Sequence, residues 1–115
     1  MPDHSSQSAD AMVRLREDFR RCLETFYAQL KLAPPYDSVE KAVGALNETL
    51  KTMPPEVRRR LLDDPALQWA QYGKAFAAGG LHLKHRGIIA SLIRDGRGAG
   101  LPAEYRTFLD LFLPS

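Results

Sequence analysis

Apolar side chains recur every three or four residues over the first third of the chain, which aligns them along one stripe of a helix. The stripe runs from Met12 to Leu30, with charged residues between its members. Asp10 is a suitable N-cap, and two consecutive prolines soon after the stripe prevent the helix from continuing. We therefore predict a flexible leader over residues 1–9 and a single helical domain over residues 10–115.

Three more helices are predicted before the Gly-Gly pair at positions 79 and 80. Asp37 followed by Glu40 resembles a capping box, and a second apolar stripe begins directly after it. Pro55 suits the first turn of a short third helix. Asp64-Pro65 combines an N-cap with a proline in the first helical position, so it predicts the start of the fourth helix.

The segment from Leu81 to Asp95 has two interpretations. Its first four residues alternate between apolar and polar, as in a short strand, but its apolar residues also fit a helix that Gly96 ends. We favour the helix, because a lone strand has no obvious partner to pair with. After a mobile loop, Pro102 begins a last helix. The predicted fold is all-α: a compact bundle-like domain of five or six helices with a long N-terminal amphipathic helix.

Composition and charge narrow the class of protein. The single cysteine cannot form an internal disulfide, and no window is apolar enough for a membrane span. These features predict a cytoplasmic protein that does not act in a membrane. The net charge is +2, but it is unevenly distributed, because residues 65–102 contain five lysines and arginines and a single acid, Asp95.

This basic stretch is the first candidate site. It has six candidate contact residues for an acidic partner or a nucleic acid: His82, Lys84, His85, Arg86, Arg94 and Arg97. The helix–glycine turn–helix pattern over residues 67–97 loosely resembles a helix-turn-helix, with the second helix facing DNA. An ordinary solvated basic face is the competing interpretation.

Trp69, Tyr72 and Phe76 form the second candidate site, because they share one stripe of the fourth helix. They are either core residues or, if the domain leaves them exposed, anchors for a protein partner. Cys22 falls on the first apolar stripe, which favours core packing over a nucleophilic role. Three consecutive arginines, 58–60, are read as a surface run in which one side chain reaches an acid at the core edge.

The chain contains no recognisable catalytic, cofactor-binding or metal-binding motif. His82 and His85 lack the further ligands that a zinc site needs, and the glycine-rich stretch at 96–100 lacks the context of a phosphate loop. We therefore predict a non-enzymatic helical protein-interaction module, of the adaptor, regulator, chaperone or inhibitor type. A homodimer or a partner complex is expected from an overhanging first helix. The alternatives are a small DNA- or RNA-binding regulator and, third, an enzyme that uses Tyr72, His82, His85 and Arg86.

Overall fold

The computed structural model describes residues 4–113, with side chains from residue 10 onward. The described chain is all-α and contains no strand, which confirms the predicted fold class. Three short 3₁₀ helices connect the later elements. The α-helices are α1 (His4–Leu30), α2 (Tyr36–Thr52), α3 (Pro55–Asp63), α4 (Pro65–Ala78), α5 (Arg86–Arg94) and α6 (Arg106–Leu109). No helix in this part of the chain combines the length and the apolar character that crossing a bilayer requires.

Helix α1 begins at His4, so the prediction that Asp10 caps its start is wrong. No glycine or proline lies between His4 and Asp10 to interrupt the helical backbone. With 27 residues, α1 accounts for most of the long dimension of a molecule that measures 53 × 26 × 24 Å. It ends in a Schellman motif, in which the amide of Leu32 donates to the carbonyl of Tyr27 at 3.0 Å.

The core forms where the apolar stripes of α1, α2 and α4 meet, as their periodicity predicts. Phe26 of α1 lies at the centre of an aromatic cluster. Its ring centroid is 5.8 Å from those of both Phe76 and Phe108, and 6.0 Å from that of Phe112. Met12 also packs against this core, so the described part of α1 leaves no continuous apolar stripe free to overhang it.

Of the predicted starts of α2 and α4, one is wrong and the other is confirmed. Helix α2 begins at Tyr36 with Pro35 as its N-cap, so the Asp37–Glu40 capping box is wrong. Glu40 pairs instead with Arg20 of α1, at 3.0 Å. The Asp64 cap of α4 is confirmed, since its carboxylate accepts from the amide of Ala66 at 3.0 Å.

The arginine run also differs from its interpretation. Arg58 is half-buried, but its guanidinium donates to backbone carbonyls at the end of α2 rather than to an acid. Nε donates to the Leu50 oxygen at 2.9 Å and Nη2 to the Met53 oxygen at 3.0 Å. These bonds satisfy carbonyls that the helix end leaves without partners, so Arg58 ties α3 to α2.

The predicted single helix over residues 81–95 is wrong, because the chain breaks within it. A 3₁₀ turn, Leu81–Leu83, is followed by an extended Lys84 and by His85 with a φ of 53°. In an unbroken helix Leu81 would share a face with Ile88, seven residues on. The break lets Leu81 and Ile89 be buried instead, and Ile88 faces solvent.

The predicted loop and last helix are shorter and more tightly packed than expected. Residues Arg97–Gly100 form a 3₁₀ turn, and the Gln29 amide donates to the carbonyl of Arg97 at 3.1 Å. The side chain of Leu109 packs directly against Gly98. The helix predicted from Pro102 is divided into a 3₁₀ turn, Ala103–Tyr105, and the single turn of α6.

Candidate functional site

The break before α5 concentrates basic side chains at one corner of the molecule. Lys84, His85 and Arg86 are all exposed there, and none forms an ion pair with any described residue. Residues 65–94 contain no acid, so no close neighbour in the sequence balances their charge. We call residues 82–88 the basic corner.

Two large apolar side chains lie within the same short segment. Leu83 is 62% exposed and Ile88 is 55% exposed, although each has the size of a core residue. Ile88 is exposed, whereas Ile89 and Ala90, which follow it at about 100° and 200° around α5, are buried. A single exposed apolar side chain is ordinary in a protein surface. Here a leucine and an isoleucine lie in the same segment as three basic side chains without ion pairs to the described residues, so the surface is both apolar and basic.

A pocket adjoins the basic corner, where the start of α2 faces the end of α4. Its volume is about 440 Å³. Its lining includes two lysines, one carboxylate and one hydroxyl. The lining residues are Asp37, Ser38, Lys41, Gly79, Gly80, Leu83 and Lys84. Leu83 and Lys84 belong to both surfaces, so the pocket and the basic corner are continuous. We call this cavity the α2–α4 pocket.

Gly79 allows the two helices to approach closely enough to form this pocket. A Cβ placed on Gly79 would lie 2.7 Å from the Cβ of Ala42 and 2.8 Å from the carbonyl oxygen of Ser38. Its backbone is ordinary right-handed helix, with a φ of −78°, so only space requires a glycine here. Gly80 then takes a left-handed turn, with a φ of 75°, that leads into the 3₁₀ turn.

The structure divides the six predicted basic contacts. Lys84, His85 and Arg86 lie together, whereas His82 is half-buried, with its Nδ1 out of contact with any hydrogen-bond partner. Arg94 lies two turns along α5 from Arg86, about 12 Å along the helix axis. Its Nε donates to the carbonyl of Ala90 at 3.3 Å.

Arg97 lies beyond α5, in the turn that Gln29 contacts. The predicted recognition helix is also shortened, since Lys84 and His85 precede it. No group of three or more histidine, cysteine, aspartate or glutamate side chains could hold a metal ion among the described residues. His82 and His85 therefore gain no further ligand from the described fold.

The aromatic stripe of α4 belongs to the core. Tyr72 and Phe76 are fully buried, and Trp69 is half-buried against Tyr105, with the ring centroids 4.9 Å apart. The Tyr72 hydroxyl donates to the carboxylate of Asp18 at 2.6 Å. Burial and this hydrogen bond raise the pKa of Tyr72. Of the three predicted partner anchors, only Trp69 presents part of its side chain to solvent.

Cys22 lies beside the same group and is 7% exposed. Burial raises the pKa of its thiol to about 11, so the thiolate needed for nucleophilic attack is scarce at neutral pH. Its Sγ is 3.9 Å from the Asp18 carboxylate, which adds to the shift. The packing role predicted for Cys22 is the one the structure gives it.

A second open cavity, of about 340 Å³, lies between the end of α5 and α6. Most of its lining is apolar, with Arg106 and Asp110 at its polar positions. It contains no histidine, cysteine or lysine, and it is separate from the basic corner in its lining residues.

Sequence reasoning identified the basic residues of the corner but not the pocket beside them. Ser38 and Lys41 lie more than 40 positions before Lys84, and nothing in local spacing connects them. The uncapped start of α2 did have a signal in the sequence. Pro35 has no N–H, so a residue three positions later cannot form a capping box with it.

The comparisons with known proteins find no matching protein-family model, no similar curated protein and no similar solved structure. The geometry of the basic corner is therefore the basis for the functional argument that follows.

Proposed function

We propose that this chain is a non-enzymatic helical protein-interaction module that binds an acidic, leucine-containing segment of a partner protein at the basic corner. The observation that supports this proposal is the pairing of exposed Leu83 and Ile88 with the cations of Lys84 and Arg86, which are unpaired among the described residues and flank the exposed imidazole of His85. A single cysteine fits a reducing compartment, and we expect the module to act in the cytoplasm.

The two kinds of side chain would contribute differently to binding. Complete burial of a leucine or isoleucine is worth about 1.5–3 kcal/mol, and these two are already partly covered, so each would add roughly 1 kcal/mol. Exposed cations add little affinity individually, but they accelerate the encounter with an acidic segment and exclude basic ones. Together they favour a modest, salt-sensitive interaction.

Charge also distinguishes between a second copy and a different protein. A symmetric dimer through the basic corner would place the same lysine and arginine side chains against each other. The apolar stripe of α1, from which a homodimer was expected, is already used by the core among the described residues. Both points favour an acidic hetero-partner over self-association.

Nucleic acid is the second ligand class that a basic surface can serve. The division of the six basic residues between the two ends of α5 and the following turn gives no continuous phosphate-binding row. Leu83 and Ile88 also offer nothing to a phosphate backbone. We therefore favour the protein segment and make duplex DNA an arm of the test.

The test is fluorescence anisotropy with a short labelled peptide of alternating leucine and glutamate. We expect binding that weakens with added salt and that falls in Ile88→Ser and in the double variant Lys84→Gln/Arg86→Gln. Val57→Ser is a matched apolar control, because Val57 is exposed on α3. Arg59→Gln is the corresponding charge control.

Two further probes decide between the ligand classes. A peptide with lysine in place of glutamate should not bind, and a labelled DNA duplex should bind more weakly than the acidic peptide at low salt. Equal loss of affinity in the Val57 control and the Ile88 variant would overturn the proposal. So would tight binding of the duplex without binding of the acidic peptide.

A further inference from the structure

We infer that the α2–α4 pocket is an anion subsite that binds one carboxylate of the acidic segment docked at the basic corner. The inference rests on the proposed function for the source of that carboxylate. Ser38 and Lys41 of α2 line the pocket but lie outside the basic corner, so substitutions there test the subsite separately from the docking function.

Helix α2 begins without a side-chain cap. The N-cap is Pro35, which offers no side-chain hydrogen bond to the helix, and the first backbone bond of the helix is from Val39 to the Pro35 carbonyl. The amides of the preceding helical residues, 36–38, therefore have no helical acceptor. Such amides and the helix dipole favour an anion at this position.

Ser38 is a polar residue that is only 6% exposed and lines the pocket. Its hydroxyl could normally bond back to the N-cap amide, but proline at the N-cap has none. Its side chain makes no hydrogen bond to another described residue. The hydroxyl is therefore free to donate to a carboxylate bound in the open pocket.

The side chains that line the pocket also carry a net positive charge. Lys41 lines the cavity from α2 and Lys84 lines it from the segment after the 3₁₀ turn. Asp37 is the one carboxylate in the lining. The net charge of the lining is therefore positive, and neither lysine forms an ion pair among the described residues. The carboxylate of Asp37 repels a carboxylate bound in the pocket. Removal of its charge should therefore strengthen peptide binding, whereas the other pocket substitutions weaken it.

The experiment measures binding of the leucine–glutamate peptide to three pocket variants. Lys41→Gln should weaken binding by about two- to fivefold, because a single exposed cation adds little affinity, and Ser38→Ala should weaken it by a comparable factor. Asp37→Asn should tighten binding, which a purely structural role would not produce. Lys51→Gln is the matched control, because Lys51 is an exposed lysine at the far end of the same helix.

A second readout separates this inference from the proposed function. Sodium acetate is titrated into the ¹⁵N-labelled protein, with sodium chloride of equal ionic strength as the control. We expect acetate alone to shift the amides of Asp37 and Ser38, and Lys41→Gln to reduce the shift.

Peptide binding that Lys41→Gln and Ser38→Ala both leave unchanged would overturn the subsite and leave the docking function in place. Acetate shifts at α2 without peptide binding would overturn the docking function and leave the anion subsite. Unchanged far-UV circular dichroism in each variant excludes unfolding as the cause.

Discussion

The close approach of α4 to α2 at Gly79 should make this glycine far less replaceable than Gly44, a helical glycine with open space around it. Alanine at position 79 would place its Cβ 2.7 Å from the Cβ of Ala42, and 2.8 Å from both the Ala42 nitrogen and the Ser38 oxygen. Two of these three atoms belong to the backbone of α2, so no side-chain rotation can relieve the contact. The helices must separate, or the end of α4 must unwind.

The size of the effect follows from the overlap. Ordinary contacts of a Cβ begin near 3.4 Å, so about 0.6 Å must be gained against two backbone atoms at once. Forced overpacking of this kind typically costs about 1–3 kcal/mol. Position 79 has a right-handed φ of −78°, so no strain from a left-handed backbone contributes to that cost.

Gly44→Ala is the matched control. Gly44 is exposed in the middle of α2, and nothing lies within 4 Å of the Cβ that alanine would add. The same substitution there should stabilise the protein by about 0.5–1 kcal/mol, because glycine is the poorer helix former. The two variants should therefore differ by roughly 1.5–4 kcal/mol in the free energy of unfolding.

Urea denaturation followed by far-UV circular dichroism measures this difference, and a thermal scan should separate the two Tm values by several degrees. If Gly79→Ala were as stable as Gly44→Ala, the end of α4 could not lie against Ser38 and Ala42. The α2–α4 pocket would then have a different shape, and the anion subsite inferred from it would lose its geometric basis.

Three further predictions concern single groups. Tyr27→Phe should leave stability unchanged or raise it by up to about 1 kcal/mol in urea denaturation, because the buried Tyr27 hydroxyl has no hydrogen-bond partner among the described residues; a marked loss of stability would contradict this. Lys31→Gly should raise stability by about 0.5–1 kcal/mol in the same assay, since Lys31 has a φ of 58° that glycine adopts freely; an unchanged midpoint would show that the position is not left-handed. Burial raises the pKa of Cys22 from 9.0 to about 11, so the unfolded chain ionises first and the contribution of the protonated thiol to stability should be lost as pH rises between these values; Cys22→Ala should remove that part of the pH dependence, and an identical slope in both proteins would refute the assignment.

The long elements could be predicted because one physical requirement determines them. The stripes of α1, α2 and α4 must be buried, and the 3.6-residue period identifies their buried faces without knowledge of any neighbour. The start of α4 at Asp64-Pro65 could also be predicted, because the capping side chain and the amide that it accepts from are only two positions apart in the sequence. The helix starts predicted at Asp10 and Asp37 failed because each residue fits inside a helix as well as at its N-cap.

The break before α5 and the α2–α4 pocket could not be predicted, because each depends on contacts distant in sequence. Leu81 packs into the core just after α4, and its position determines that Ile89 is buried instead of Ile88. The periodicity of the apolar residues alone favours a single uninterrupted helix. The hydrogen-bond partners of Arg58 also could not be predicted from local sequence. Its partners are the orphaned carbonyls at the end of α2, and sequence reasoning expected an acid.

Three departures from local rules coincide between Leu83 and Ile88. Two large apolar side chains face solvent, three basic groups have no counter-charge among the described residues, and His85 has a left-handed backbone without being a glycine. Lys31, the other such residue described, is explained by the Schellman motif that ends α1, whereas His85 is the N-cap of α5, a position that is usually extended. Folding alone would favour glycine at 85 and polar residues at 83 and 88, so the segment departs from what stability selects. Such departures are typical of surfaces that serve a ligand, which is the physical reason for proposing a docking function at this corner and not at the well-packed faces of α1 and α2.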